Sequence, residues 1–261
     1  MNLSALRDQV IVLSHEVGDF IQKEAETFSW KKIEYKGLNN LVSYVDKEAE
    51  KRLVSGLSAL LPEAGFITEE DTIDKKGEAY HWIVDPLDGT TNFIHGLPVY
   101  SISIALEHHD EIILGVVHEL NRNEVFHAIK GEGAFCNEHP IEVSKAERIN
   151  QSLLATGFPY FDFEKLDDYM EILHDLLKSC HGLRRMGSAA VDLAYVACGR
   201  FEGYFEYNLN PWDVAAGAFL VQQAGGTVSD FKGGNDYIHG REIVAGCPIH
   251  KEMLNVIQKH W

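Results

Sequence analysis

The chain has 261 residues, with 23 Lys and Arg against 40 Asp and Glu, for a net charge of −17. So acidic a composition opposes direct neutralisation of nucleic-acid phosphates and docking on an anionic membrane, so neither partner is expected. With 45% hydrophobic residues, the composition is that of an ordinary globular protein, large enough for one big core or two closely packed halves.

The first apolar run, Val10 to Leu13, breaks at Ser14, His15 and Glu16, too short for a secretion signal or a membrane span, and the expected location is the cytoplasm. Leu3, Leu6, Val10, Leu13, Val17, Phe20 and Ile21 then recur at helical spacing, which predicts an amphipathic first helix. Lys36 to Asn40 reads as a polar loop. A second helix is expected from a Ser43 cap, through Val45, Ala49, Leu53, Leu57 and Leu60, to a stop at Pro62. Phe66 to Thr68 and Trp82 to Val84 read as buried strands, and each delivers carboxylates at its end: Glu69 with Glu70, then Asp85. Ser101 to Leu106, Ile112 to His118 and Val125 to Ile129, separated by polar turns, predict an antiparallel meander.

After about Lys145 strands and helices alternate: Leu153 to Thr156, a helix near Leu166 to Cys180, Leu183 to Met186, a helix near Ser188 to Ala197, and Gly203 to Tyr207. A helix over Trp212 to Ala224 ends at Gly225 and Gly226. Strands at Thr227 to Ser229 and Ile243 to Ala245 and a last helix complete a layered α and β fold. Two halves are expected, 1–145 and 146–261, packed as one unit. Cys136, Cys180, Cys198 and Cys247 are 44, 18 and 49 positions apart, which fits reduced thiols and no CxxC pair.

Trp82 to Asn92, WIVDPLDGTTN, is the most informative stretch. A strand runs into Asp85, Pro86 fixes φ, and Asp88 follows beside Gly89, Thr90 and Thr91, so two carboxylates share one turn next to hydroxyls and amides suited to a phosphate. The plainer alternative is that both aspartates only supply turn hydrogen bonds. Likewise Asp213 in NPWDVAAG (210–217) fits either a helix cap with Asn210 or a ligand, and Glu70 and Asp71 fit a solvated face. Cys136 with His139, the pair His108 and His109, and Gly131 with Gly133 read as loop and turn residues, and Tyr204, Phe205 and Tyr207 as packing.

Together these segments resemble the inositol monophosphatase family of lithium-sensitive, metal-dependent phosphomonoesterases. D-P-x-D-G-T is matched by Asp85, Pro86, Asp88, Gly89 and Thr90, W-D-x-A-x-G by Trp212, Asp213, Ala215 and Gly217, and a G-E-E strand end by Glu69 and Glu70, with Thr68 in the glycine's place. The resemblance implies a layered αβαβα sandwich of the sugar-phosphatase type, with an antiparallel sheet in the N-terminal half and a mixed sheet with helices in the C-terminal half. It further implies one Mg²⁺ on Glu69, Asp85 and the Leu87 carbonyl, a second on Asp85, Asp88 and Asp213, and a weaker third helped by Glu69, with Mn²⁺ as an alternative. Asp46 paired with Thr90 would orient the attacking water, and Lys36 would lie in a loop near the phosphate. Gly89 and Thr90, with Gly187, Ser188, Ala189 and Glu206, would contact the substrate.

Simple electrostatics points the same way: two carboxylates about 4 Å apart repel by roughly 4 kcal/mol at an effective dielectric of 20, so such a cluster needs a cation or a proton among its members. Oxygen-only donors suit hard Mg²⁺ or Mn²⁺. The expectation is hydrolysis of a small polyol or sugar phosphate, most simply inositol monophosphate, by a homodimer. Alternatives are a relative acting on fructose 1,6-bisphosphate or 3′-phosphoadenosine 5′-phosphate, and, in another class, a non-catalytic regulatory protein on the same fold.

Overall fold

The computed structural model describes residues 1–28, 33–37, 40–160 and 163–261. Apolar residues at helical spacing bury Leu6, Val10, Val17 and Ile21 along α1 (Leu3–Glu26), and Val45, Ala49, Leu53 and Leu57 along α2 (Tyr44–Leu60). Ser43 caps α2 as expected. Its hydroxyl accepts from the Val45 amide while Asp46, at the third helical position, accepts from the Ser43 amide. Between the two helices the structure departs from the expected loop: β1 (Ile33–Gly37) and β2 (Asn40–Ser43) pair antiparallel. Lys and Asn are poor strand formers, and backbone pairing between the two strands outweighs that local preference. Lys36 falls in β1, and its side chain lies outside the described residues.

β3 (Gly65–Thr68), β4 (Tyr80–Asp88), β5 (Ser101–His108), β6 (Glu111–Glu119), β7 (Glu124–Ile129), β8 (Ala134–Cys136) and β9 (His139–Ile141) form a sheet in that order. It is antiparallel from β4 to β9, with β3 parallel to β4. The meander matches expectation, and Cys136 and His139 turn out to face each other across the β8–β9 pair.

Strand alternation divides the core. Trp82, Val84, Ile102, Ile104, Leu114 and Val116 face α1 and α2, whereas Ile83, Ala105 and Val117 face the opposite layer. That layer is α5 (Ala189–Ala197) and α6 (Pro211–Gln223). Beyond it lies the second sheet, in the order β11 (Gly182–Arg184), β10 (Leu153–Thr156), β12 (Gly203–Tyr207), β14 (Glu242–Gly246), β13 (Thr227–Ser229). It is mixed: β10 runs parallel to both neighbours, and β14 antiparallel to both of its own. Tyr169 and Ile172 of α4 (Leu166–Leu177) and Met253 and Ile257 of α7 (His250–Ile257) join the same core. The order is helix, sheet, helix, sheet, helix. Among the described residues no helix is long and apolar enough to cross a membrane.

Candidate functional site

The site forms where strand ends meet helix starts. In β4, Pro86 has no amide to give the ladder, and the pairing with β5 shifts register between Asp85 and Asp88. The Leu87 amide turns instead to Asp85 Oδ1, at 2.9 Å. In a regular strand residues three apart point to opposite faces, and this irregularity lets Asp85 and Asp88 line one cavity. The parallel register of Thr68 with Val84 then places Glu69 beside Asp85 at the ends of adjacent strands.

Gly89 follows with φ +98° as the residue capping α3 (Thr90–His95), and a Cβ there would meet the Val99 carbonyl at 2.9 Å. Thr90, first in the helix, donates its hydroxyl to Asp46 Oδ1 at 2.7 Å. The other Asp46 oxygen accepts from the Ser43 amide and hydroxyl, at 2.9 and 2.6 Å. The Asp46–Thr90 pairing implied by resemblance is thus present.

Asp213 arrives from the opposite layer at the third position of α6, where Oδ2 accepts from the Asn210 amide at 2.7 Å. Asp213 caps the helix and also lines the cavity. Asp88 is fixed through Oδ2 by the Ser188 hydroxyl at 2.6 Å and the Ala190 amide at 2.8 Å. Ser188, expected to face the substrate, therefore commits its hydroxyl to Asp88, while Gly187, Ala189, Glu206, Gly89 and Thr90 line the cavity with it.

The electrostatics records this crowding. Asp85 is pushed well above the usual carboxylate range, first by burial and then by Glu69, Asp88 and Asp213. Burial raises Asp88 to about 6, and burial together with the charge of Asp88 raises Asp213 to about 7. Glu206, which accepts from the Tyr204 hydroxyl, is raised to about 8 by burial. Among the described residues, no group of three His, Cys, Asp or Glu side chains is already drawn together tightly enough to hold a metal ion. The four carboxylates line one cavity instead, leaving room for water and an ester to complete a coordination shell. Carboxylate oxygens with the neighbouring Leu87 carbonyl are donors that fit Mg²⁺ or Mn²⁺, which keep several waters, and the lining holds no His or Cys that would favour zinc.

Several residues here carry no signal in the sequence. Glu50 on α2 is fully buried and accepts from the Thr68 hydroxyl (3.1 Å), the Glu70 amide (2.7 Å) and the Thr72 amide (2.8 Å), tying down the segment that presents Glu69. The Asn92 carboxamide bridges the Val99 and Met186 carbonyls at 2.7 and 2.8 Å. Tyr160, Arg185 and Asp192 line the end of the cavity near Glu206. All act across long sequence separations, which local patterns do not register.

The model of the inositol monophosphatase family matches residues 2–261. The chain belongs to the inositol monophosphatase family. Nus factor SuhB of Escherichia coli is 42% identical over 243 residues, covering 92% of this chain and 91% of that protein. The crystal structure of extragenic suppressor protein suhB from Bartonella henselae superposes with a TM-score of 0.92 at 36% identity, covering 98% of this chain and all of that one. An inositol monophosphatase structure from Anabaena gives 0.89 at 32% identity, covering 100% and 98%.

The Nus designation overturns the expectation, drawn from charge, of a chain with no nucleic-acid partner. Net charge governs direct neutralisation of phosphates, whereas a protein can serve a nucleic-acid assembly through contacts with other proteins, which a charge of −17 does not oppose.

Proposed function

We propose that this member of the family is a cytoplasmic, Mg²⁺-dependent phosphatase that hydrolyses a small polyol phosphate, inositol monophosphate being the simplest candidate. The observation that carries this reading is the convergence of Glu69, Asp85, Asp88 and Asp213, from two strands and a helix, on one cavity where burial first, and then the other three, push Asp85 upward. A nest of like charges is a poor way to stabilise a fold and a good way to hold divalent cations.

Glu69, Asp85 and the Leu87 carbonyl would hold one ion, and Asp85, Asp88 and Asp213 a second, with Mn²⁺ able to substitute. Cations bound there supply positive charge to the phosphoryl oxygens and the leaving alcohol oxygen as negative charge develops on them. The protein's own groups do the rest. Thr90, held by Asp46, leaves its hydroxyl oxygen able to accept from a water and align it for in-line attack. Ser188 and Ala190 fix Asp88 so that it need not reorganise during reaction. Gly89 lets backbone approach the phosphate, and Glu206 faces the sugar alcohol at the far end.

Phosphate release from a panel of small phosphate esters, with and without Mg²⁺, tests the reading. Metal-dependent release from a polyol monoester is expected, and no release from any ester would reject it. The chain's 42% identity to Nus factor SuhB favours a second role in transcription. A terminator read-through assay with wild type and Asp88→Ala separates the two. Equal read-through by both would mean that this role uses a surface apart from the carboxylate nest.

A further inference from the structure

In the same cavity as the carboxylate nest, Asp192 is unlike every other acid of the site. It is 1% exposed, lines the cavity, and its Oδ1 finds no hydrogen-bond donor among the described residues. Helix stability does not account for it. The start of α5 is already capped by the Ser188 hydroxyl, which accepts from the Val191 amide. A carboxylate in a first turn gains little from the helix dipole, less than a buried oxygen loses by going without a partner.

The surroundings define what could satisfy it. Burial first, then Glu206 and Asp88, push the Asp192 carboxyl well above the ordinary range, and Arg185, which itself donates to the Tyr160 hydroxyl at 3.1 Å, opposes them. Gly157 sits so close to Glu206 that a Cβ there would fall 2.0 Å from its Oε2, so no side chain at that position could reach across. An anionic substituent would meet the oxygens of Glu206 and Asp192 with a single cation, Arg185, to set against them. An O–H donor meets no such opposition, and a pair of acceptors beside one cation suits neighbouring hydroxyls, each of which donates one hydrogen and accepts another.

We propose that Asp192 is a specificity-determining residue that accepts a hydrogen bond from a hydroxyl of the leaving alcohol, so that the cavity selects phosphate esters of vicinal polyols over esters lacking a neighbouring hydroxyl. The inference rests on the phosphatase reading of this cavity and assigns a residue to its selectivity.

The experiment compares kcat and KM for inositol 1-phosphate and phenyl phosphate in wild type, Asp192→Leu and Asp192→Ala, with melting temperatures alongside. A site that hydrogen-bonds a substrate hydroxyl discriminates strongly against its loss. Both variants should therefore lower the ratio of kcat/KM for inositol 1-phosphate to that for phenyl phosphate tenfold or more, chiefly through KM. Melting temperature should hold or rise, because a buried unpartnered acid has gone; the alanine variant serves if leucine disturbs folding. An unchanged ratio in the folded variants, with both esters falling together, would overturn the proposal. Should wild type hydrolyse neither ester, the phosphatase reading fails separately. Calorimetric titration of inositol 1-phosphate with Mg²⁺ present then decides: weaker binding by the variants supports the role of Asp192, and equal binding removes it.

Discussion

Two buried carboxylates, Glu50 and Asp85, are treated in opposite ways. Glu50 is surrounded by donors, with one hydroxyl and two amides converging on its oxygens. Asp85, buried to the same degree, has one amide and three acidic neighbours. Burial of charge therefore has two meanings in this molecule. Where donors saturate the carboxylate it acts as a knot that fixes backbone, and where like charges crowd it the deficit can be met only from outside the chain.

The contrast breaks first at Asp88. Asp88→Ala should lower kcat/KM for the polyol ester about a thousandfold, roughly 4 kcal/mol of transition-state stabilisation, at saturating Mg²⁺. Loss of the Ser188 and Ala190 hydrogen bonds is offset by removal of a buried, destabilised carboxyl, so stability in urea should fall less than for Glu50→Ala, and near-normal turnover would reject the metal assignment. Glu50→Ala should do the reverse. It strands the Thr68 hydroxyl and the Glu70 and Thr72 amides and should cost about 3 kcal/mol in urea unfolding, and the looser hold on Glu69 should raise the Mg²⁺ concentration needed for half-maximal activity.

A subtler test uses pH. Asp213, raised to about 7, keeps a proton that the unfolded chain has already released, so between about pH 4 and 7 its contribution to stability falls as pH rises. Buried His118, lowered to about 4, works in the opposite direction below its ordinary range, so total stability is a poor readout. The difference between Asp213→Asn and wild type in EDTA isolates the group. It should grow in favour of the variant by about 2 kcal/mol from pH 5 to pH 8, and added Mg²⁺ should shrink it. The smallest effect is expected at the α2 cap, where Ser43→Ala should cost about 1 kcal/mol of stability and reduce turnover modestly through Asp46.

The legible parts of the sequence were those whose chemistry is local. Asp85, Pro86 and Asp88 carry their bulge within four residues, and Asn210 and Asp213 their cap, so these acids stood out in the sequence, and the family resemblance then implied their role as ligands. The alternation from Ser101 to Ile129 likewise announced the meander. Glu50 was hidden because it sits in a charged helical run, AEKR, that reads as solvent-facing. Asp192 was hidden because its meaning depends on Glu206 and Arg185 from other elements. The β1–β2 pair was missed because its polar residues have no strand periodicity. Net charge bears on direct contact with phosphate backbones and carries no information about protein partners, so a nucleic-acid role was not legible in it.

Helix α6 sits between the two sheets, with every residue from Val214 to Val221 buried. A rod so enclosed has no route to partial opening, and its amides exchange with deuterium only when the whole molecule comes apart. A cation gripped at its first turn should therefore slow deuterium uptake in both sheets at once, making occupancy of the site readable from amides far from Asp213.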